Sequence, residues 1–214
     1  MAINQLTLYN EALLYCGQRF LASLTENQES RRLLDQVWAT NGVRACLEMG
    51  QWFFAMRTVM IDYDPSVEPS FGYRRAFAKP NDWVLTSAVC QDEFFTAPLT
   101  RYSDEAGYWY SELDTIYVKY VSSSVNYGLN FGLWPESFFQ FVAAYFASKI
   151  VGSLSKSEEK IKEVMVMLKM KKQLAKSRAA MADSTKFPAP GTWTRARASG
   201  RARRDNGNTG SLIG

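Results

Sequence analysis

Residues 115–146, TIYVKYVSSSVNYGLNFGLWPESFFQFVAAYF, decide the fold, because a strand pattern and a helix pattern follow each other within them. Ile116, Val118 and Tyr120 alternate with the side chains between them, which is typical of a β-strand. A loop rich in Ser, Asn and Gly comes next. Pro135 then favours a helix start, and aromatic residues recur after it at helical spacing. We therefore predict a protein that combines strands with helices.

More strands are expected on the N-terminal side of this segment. From about Arg57 the sequence is rich in β-branched and aromatic residues and is punctuated by prolines. The predicted strands are residues 58–63, 73–78, 83–89, 94–102, 108–111 and 115–121. Connections of only a few residues favour antiparallel pairing between neighbours. Residues 57–121 are therefore predicted to be an inserted small antiparallel β-meander or half-barrel.

Two helices are expected before this insertion. The first covers residues 6–17, and Gly17 is placed to end it. The second begins near Ser23 or Thr25, because a capping box is possible at either residue. Its apolar spacing continues for six turns, as far as Trp52.

Three large aromatic residues, Trp52, Phe53 and Phe54, follow one another where the second helix meets the strands. Consecutive side chains point in different directions in both helices and strands, so three rings cannot all face one core. We predict that two of them pack in the core and that the third contacts another element or subunit.

Two further helices are expected in the C-terminal half. The third begins at Pro135 and fades at Gly152. The fourth covers residues 158–181, with Ser155 or Ser157 as its cap, acids in its first turns and lysines later. Its predicted apolar side consists of Ile161, Met165, Leu168, Leu174 and Met181.

The predicted fold class is α+β, an antiparallel helical bundle of about four helices with the β insertion and an extended basic C-terminal arm. The expected boundaries are 1–56 for the first part of the helical domain, 57–121 for the β insertion, 122–183 for the second part and 184–214 for the arm. The last residues are rich in Gly, Pro and Arg and hold few large apolar groups. We therefore expect a partner to order them.

Charge is divided unevenly along the chain. Residues 1–155 have a net charge of −5, residues 156–186 of +5 and residues 187–214 of +4. Such a subunit can pack against copies of itself or offer its basic end to an acidic partner. The planar guanidinium group of an arginine can donate two parallel hydrogen bonds to a carboxylate or phosphate, and a tryptophan ring can fill a pocket on a partner. The predicted partner-binding residues are Trp193, Arg195, Arg197, Arg201, Arg203 and Arg204.

Several features argue against an enzyme. The chain has no histidine, the commonest general base and metal ligand, and it contains no Gly-rich phosphate loop. The three cysteines, too scattered for a disulfide framework or a zinc site, are expected to be buried. No cofactor and no metal are predicted. Without an apolar run of about 20 residues, we expect a soluble protein made in a cytoplasm, with no membrane partner.

The ordered set of motifs resembles the tail tubular protein A, or head-to-tail adaptor, family of short-tailed bacteriophages. The resemblance covers most of residues 5–197. The matching stretches are residues 10–17 (NEALLYCG), 23–24 (SL), 50–54 (GQWFF), 75–83 (RAFAKPNDW), 134–136 (WPE) and 193–197 (WTRAR). Where the family often has Leu before the proline of the fourth stretch, this chain has Lys79.

The resemblance implies a structural virion protein without enzymatic activity. It implies a homo-oligomeric ring of twelve copies between the portal protein and the tail nozzle protein, at the head–tail junction of the virion. The ring would line the channel through which double-stranded DNA passes without sequence recognition. The helices and the arm would dock toward the portal, and the β insertion would face the nozzle or the outside of the ring.

Two other functions remain open from the residues alone. The basic C-terminal region could belong to a nucleic-acid-binding accessory protein, although the sequence has no known DNA- or RNA-binding motif and no aromatic platform on which bases could stack. The acid pairs Asp62/Asp64, Asp92/Glu93, Asp104/Glu105 and Glu158/Glu159 could serve a glycan-cleaving enzyme. Acids in loops and at helix starts, however, are expected for solubility and capping.

Overall fold

The structure, a computed structural model, describes residues 3–70, 72–155 and 157–182. Met1–Ala182 forms one compact unit. The described residues contain the helices α1 (Gln5–Cys16), α2 (Glu29–Ala39), α3 (Gly42–Glu48), α4 (Glu136–Leu154) and α5 (Glu158–Ala182). They also contain the strands β1 (Met56–Asp62), β2 (Arg75–Ala78), β3 (Trp83–Cys90), β4 (Ser103–Glu105), β5 (Tyr108–Ser111) and β6 (Thr115–Ser122). The predicted α+β class is confirmed, with five helices rather than about four.

The strands form two antiparallel sheets of three strands, with the orders β1-β6-β3 and β2-β5-β4. In the first sheet, Val118 of β6 lies opposite Val59 of β1 on one side and Val89 of β3 on the other. Among the six strands, only β4 and β5 are both consecutive in sequence and paired. The predicted meander is therefore wrong in its connectivity. Apolar packing on both sides of β6 brings this last strand between the first and the third.

α4 is the central helix and packs against α1, α2, α3 and α5. The ring of Phe138 lies 4.7 Å from that of Trp52, and the ring of Phe141 lies 5.9 Å from it, measured between centroids. By length and composition α4 is also the one helix in the described ranges that could cross a membrane, but 56% of its most apolar window is buried inside the protein. The central helix of a protein core meets the same criterion.

The predicted six-turn second helix is wrong, because the chain turns between α2 and α3. Asn41 has φ 61, a left-handed conformation that Asn tolerates better than most residues. A Cβ atom on Gly42 would lie 2.7 Å from the carbonyl oxygen of Val37 and 2.9 Å from its Cγ1 atom. Only glycine therefore allows α3 to begin so close to the end of α2.

The start of the second helix also differs from the prediction. Neither Ser23 nor Thr25 begins it, since α2 starts at Glu29. The preceding loop is instead held by Asn10 of α1, whose side chain donates to the carbonyl of Leu21 (3.1 Å) and accepts from its amide (2.8 Å). This pair of bonds fixes the loop without helical structure and gives Asn10 of the first matching stretch a structural role.

Residues 94–102 form a loop and not the predicted strand. The carboxylate of Asp92 accepts hydrogen bonds from the amides of Thr96 (3.0 Å) and Ala97 (2.8 Å). Phe95 has φ 56, which a strand does not allow. A side chain thus satisfies the backbone groups that strand pairing would otherwise use.

Buried apolar residues form two clusters. The helical core is built mainly from α1–α5, and the sheet core consists of Phe77, Val89, Leu99, Trp109, Ile116, Val118 and Tyr120. β6 contributes to both, since Val121 belongs to the helical core and Ile116, Val118 and Tyr120 to the sheet core. β1 and β3 likewise reach both clusters, through Met56 and Val59 and through Val84 and Val89. The first sheet therefore connects the two cores.

Candidate assembly surface

α5 packs against the rest of the protein along one side. Val164 and Ala175 are buried on it, with 0% and 1% of their surface exposed. The Nζ atom of Lys171 donates a hydrogen bond to the Oε1 atom of Gln140 on α4, at 2.7 Å. Ile161 and Leu168, both from the predicted apolar side, pack partly buried against the helical core. These contacts hold α5 in a fixed rotation on the neighbouring helix.

The other three residues of the predicted apolar side face solvent. Met165, Leu174 and Met181 are 49%, 44% and 78% exposed. The prediction was wrong for these residues because the buried side runs through Val164 and the small residue Ala175. The small side chain of Ala175 lets the helix axes approach closely there, while Ile161 and Leu168 contribute larger side chains to the same core.

We call Val166, Met170, Leu174 and Met181 the outer strip of α5. They are spaced four, four and seven residues apart, which places them along one side of a helix. Their exposed fractions are 59%, 65%, 44% and 78%, respectively. The strip lies on the side away from Val164 and Ala175. Large apolar side chains grouped on the exposed side of a helix are typical of an interaction site.

A row of lysines runs beside the outer strip. Lys162, Lys169 and Lys176 are exposed and lie seven residues apart, about 10 Å along the helix from one to the next. Seven basic and three acidic side chains give α5 a net charge of +4. The exposed side of α5 is therefore apolar along one line and positively charged along the adjacent one.

A second exposed apolar group lies in the loop after β3. Phe94 is 76% exposed, and Glu93 beside it is exposed as well. The hydroxyl and amide of Thr96 and the amide of Ala97 hold the pKa of Asp92 below its usual range, so this carboxylate stays charged and keeps the loop closed. We call residues 91–98 the Phe94 loop. Its tip presents an aromatic ring next to an acid.

The aromatic cluster divides as predicted between the core and the surface. Trp52 is 1% exposed and Phe54 8% exposed, whereas Phe53 is 46% exposed. The indole nitrogen of Trp52 donates to the carbonyls of Cys46 (3.2 Å) and Leu47 (3.1 Å). The two buried rings are thus confirmed, and Phe53 is the ring that reaches the surface.

Asp82, in the matching stretch 75–83 and directly before β3, is hydrogen-bonded to the two strands β1 and β6. Its carboxylate accepts hydrogen bonds from Nη1 of Arg57 (3.0 Å), the hydroxyl of Tyr120 (3.0 Å) and the hydroxyl of Ser122 (2.5 Å). Partial burial opposes ionisation, but these three bonds prevail and lower the pKa of Asp82 below its usual range. Burial and the bond to Asp82 raise the pKa of Tyr120 to about 12. The residue has a structural role in the sheet.

Most of the acids considered for glycan cleavage have structural partners of their own. Asp62 accepts from the hydroxyl of Thr115 at 2.7 Å, and Asp104 forms an ion pair with Lys79. In the part of the chain that the structure describes, no three acidic or cysteine side chains come together as candidate metal ligands. Asp62 and Asp104 therefore stabilise contacts between neighbouring strands and loops.

The cysteines are buried, which confirms the expectation from their scatter. Burial raises the pKa of the Cys16 thiol to about 11 and that of Cys46 further. Cys90 is buried as well, with 2% of its surface exposed. Buried thiols with raised pKa values behave as small apolar groups.

The predicted partner-binding residues Trp193, Arg195, Arg197, Arg201, Arg203 and Arg204 lie outside the described residues. The candidate surface found instead comprises the outer strip of α5, its lysine row and Phe94. Sequence reasoning missed Val166, Met170 and Phe94. The four-residue spacing of Val166, Met170 and Leu174 is visible in the sequence and could have indicated a second apolar side.

Comparison with known proteins adds no relative, since no protein-family model and no curated protein matches this chain.

Proposed function

We propose that this protein is a head-to-tail adaptor, a structural virion subunit that forms a ring with its own copies and joins the portal to the tail nozzle. The observation that carries the proposal is the outer strip of α5, an exposed apolar line on a helix whose other side is already packed. A protein that assembles needs such a second contact surface. The ordered set of sequence motifs, which resembles the adaptor family, is the reason for proposing that this surface contacts other subunits of a ring.

In this proposal the chain is a helical bundle made from residues 1–56 and 122–183, with residues 57–121 inserted as the β section. α5 ends at Ala182 and leads directly into the basic arm, residues 184–214. The arm would dock on the portal, where Trp193 would fill a pocket and the arginines would meet carboxylates. Twelve copies in a ring would surround the DNA channel without enzymatic activity.

Electron microscopy of the purified protein tests the ring, first alone and then mixed with portal-bearing particles that lack a tail. We expect rings, or density added in register at the portal vertex. Particles that stay bare with an excess of folded protein would contradict the adaptor function.

The role of the arm is tested by truncation after Lys186, which should abolish docking on the portal. Trp193→Ala alone and a variant with all five arginines changed to Gln separate the aromatic anchor from the charge. The matched control changes the same five residues to Lys, which keeps the charge but loses the bidentate fork. Normal docking of the truncated protein would show that the arm is not the anchor.

The lysine row of α5 favours one alternative, a nucleic-acid-binding accessory protein. Lys162, Lys169 and Lys176 could contact phosphates together with the arm. Duplex affinity would then fall steeply with salt, with a logarithmic slope of about −4 to −9 for five to ten phosphate contacts. Absent or salt-independent binding would exclude this alternative and leave the adaptor.

A further inference from the structure

We propose that the outer strip of α5 is covered by the acidic β section of a second copy of this chain, with Phe94 as the anchor residue. This inference rests on the proposed adaptor function, because it names the surfaces through which neighbouring subunits of the ring would meet. Both surfaces are present on every copy, and they differ from each other. A contact between two different surfaces is heterologous, and its repetition closes into a ring when the rotation allows.

The distribution of charge along the chain favours the β section of a second copy as the surface that covers the outer strip. α5 has a net charge of +4, so two α5 helices placed against each other would bring like charges together. Residues 183–214 also carry a net charge of +4, which disfavours the arm of the same chain. Residues 57–121 have six basic and ten acidic side chains, a net charge of −4. The β section is therefore the part of a second copy that complements α5.

Within the β section, the Phe94 loop matches the strip in chemistry. Its ring is an apolar anchor that is 76% exposed, and Glu93 beside it is an exposed acid. α5 offers the complementary pair, the apolar residues Met170 and Leu174 beside the lysine row. Phe94 would therefore lie on the strip, with Glu93 directed at a lysine.

The loop is also held in place before any contact is made. Besides the bonds to Asp92, the amide of Gln91 donates to the carbonyl of Ala97 at 3.0 Å, and the amide of Leu99 donates to that of Val89 at 2.8 Å. A preorganised aromatic anchor loses little conformational entropy when it binds. The Phe94 loop is therefore suited to binding without a change in its backbone.

The test measures self-association of the full chain by sedimentation velocity, with circular dichroism to establish that each variant is folded. Phe94→Ala and Met170→Ala should each raise the dissociation constant between copies by about tenfold or more, as truncation of an anchor residue does. Both side chains are exposed, so neither change should disturb folding. A chain that stays monomeric, or variants that associate like the unchanged protein, would overturn the proposal.

Charge reversal identifies the contact itself. Lys162→Glu, Lys169→Glu and Lys176→Glu should each weaken association, and adding Glu93→Lys should restore it for at least one of them. The matched control combines the same lysine changes with Glu112→Lys, an exposed acid of the β section outside the loop that gives the same net charge. Equal rescue by Glu93→Lys and Glu112→Lys, or no rescue by either, would contradict docking of the Phe94 loop on α5.

The outcome is separable from that of the proposed function. If rings form and dock on the portal while Phe94→Ala and Met170→Ala have no effect, the adaptor stands and this contact is wrong. If copies associate through Phe94 and α5 but never attach to portal-bearing particles, the contact stands and the adaptor function is wrong.

Discussion

The Nζ atom of Lys79 lies 4.0 Å from the centre of the Trp83 ring, and the side chain of this lysine is only 7% exposed. The ring of Trp109 lies 5.5 Å away on another side, and the carboxylate of Asp104 forms an ion pair with the ammonium group. A buried cation is stable only when its charge is compensated. Two aromatic faces and one carboxylate supply that compensation and join β3 to the second sheet.

Lys79→Met should therefore destabilise the protein even though it keeps a long apolar side chain. We expect the free energy of unfolding to fall by about 1–3 kcal/mol, because the cation–π contacts are lost and Asp104 keeps its hydrogen bonds from Thr86 and Trp109 but loses its ion pair. Urea unfolding followed by tryptophan fluorescence measures the change. Lys162→Met, at a side chain that is 77% exposed, is the control and should change little.

Asp82→Asn should cost about 1.5–3 kcal/mol of unfolding free energy, because it replaces charge-assisted hydrogen bonds from Arg57, Tyr120 and Ser122 by weaker ones. Asp114→Asn is the matched control. It breaks an ion pair with Arg75, but the side chain of Asp114 is 73% exposed, so the cost should stay within about 1 kcal/mol. Equal effects at the two positions would contradict the assigned role of Asp82.

The contribution of Asp82 should depend on pH. Because its pKa is lowered in the folded protein, its stabilising effect is fully present above the carboxyl pKa of the unfolded chain, about 3.9. The effect is lost as the pH falls through the folded-state pKa. The difference in unfolding free energy between the unchanged protein and Asp82→Asn should therefore be constant near neutral pH and shrink below about pH 4. Urea titrations across this range measure it.

Two glycines should respond to alanine in opposite directions. A Cβ atom on Gly128 would lie 2.2 Å from the carbonyl oxygen of Ser122 and 2.8 Å from Leu47, so Gly128→Ala should cost at least about 2 kcal/mol. Gly152 lies in α4 with nothing within 4 Å of such an atom. Gly152→Ala should raise stability by about 0.5–1 kcal/mol. Thermal unfolding of both variants measures whether each substitution lowers or raises the stability of the protein.

Some elements of the fold can be predicted from local sequence patterns alone. Gly17 ends α1 with φ 68, and β6 follows the alternation of Ile116, Val118 and Tyr120. The split of the aromatic cluster was also predictable, because adjacent side chains cannot share one face. These features depend on residues close together in the chain.

Other features depend on particular side-chain and backbone contacts that a pattern of residue types does not show. At the break after α2, Asn41 has a left-handed conformation, and Gly42 lies so close to Val37 that a Cβ atom would not fit. The loop at residues 94–102 replaces a strand because Asp92 satisfies its backbone groups. The orientation of α5 could not be predicted either, since both of its sides carry apolar residues and only its packing on α4 decides which side is buried.

The first sheet has one consequence for how the molecule unfolds. β6 carries Val121 into the helical core and Ile116 into the sheet core, so neither cluster can lose this strand while the other keeps it. Its two partners, β1 and β3, span both clusters in the same way. We therefore expect the region inserted between the helices in sequence to unfold together with them, in one cooperative transition. A substitution that opens one core should then also destabilise the other.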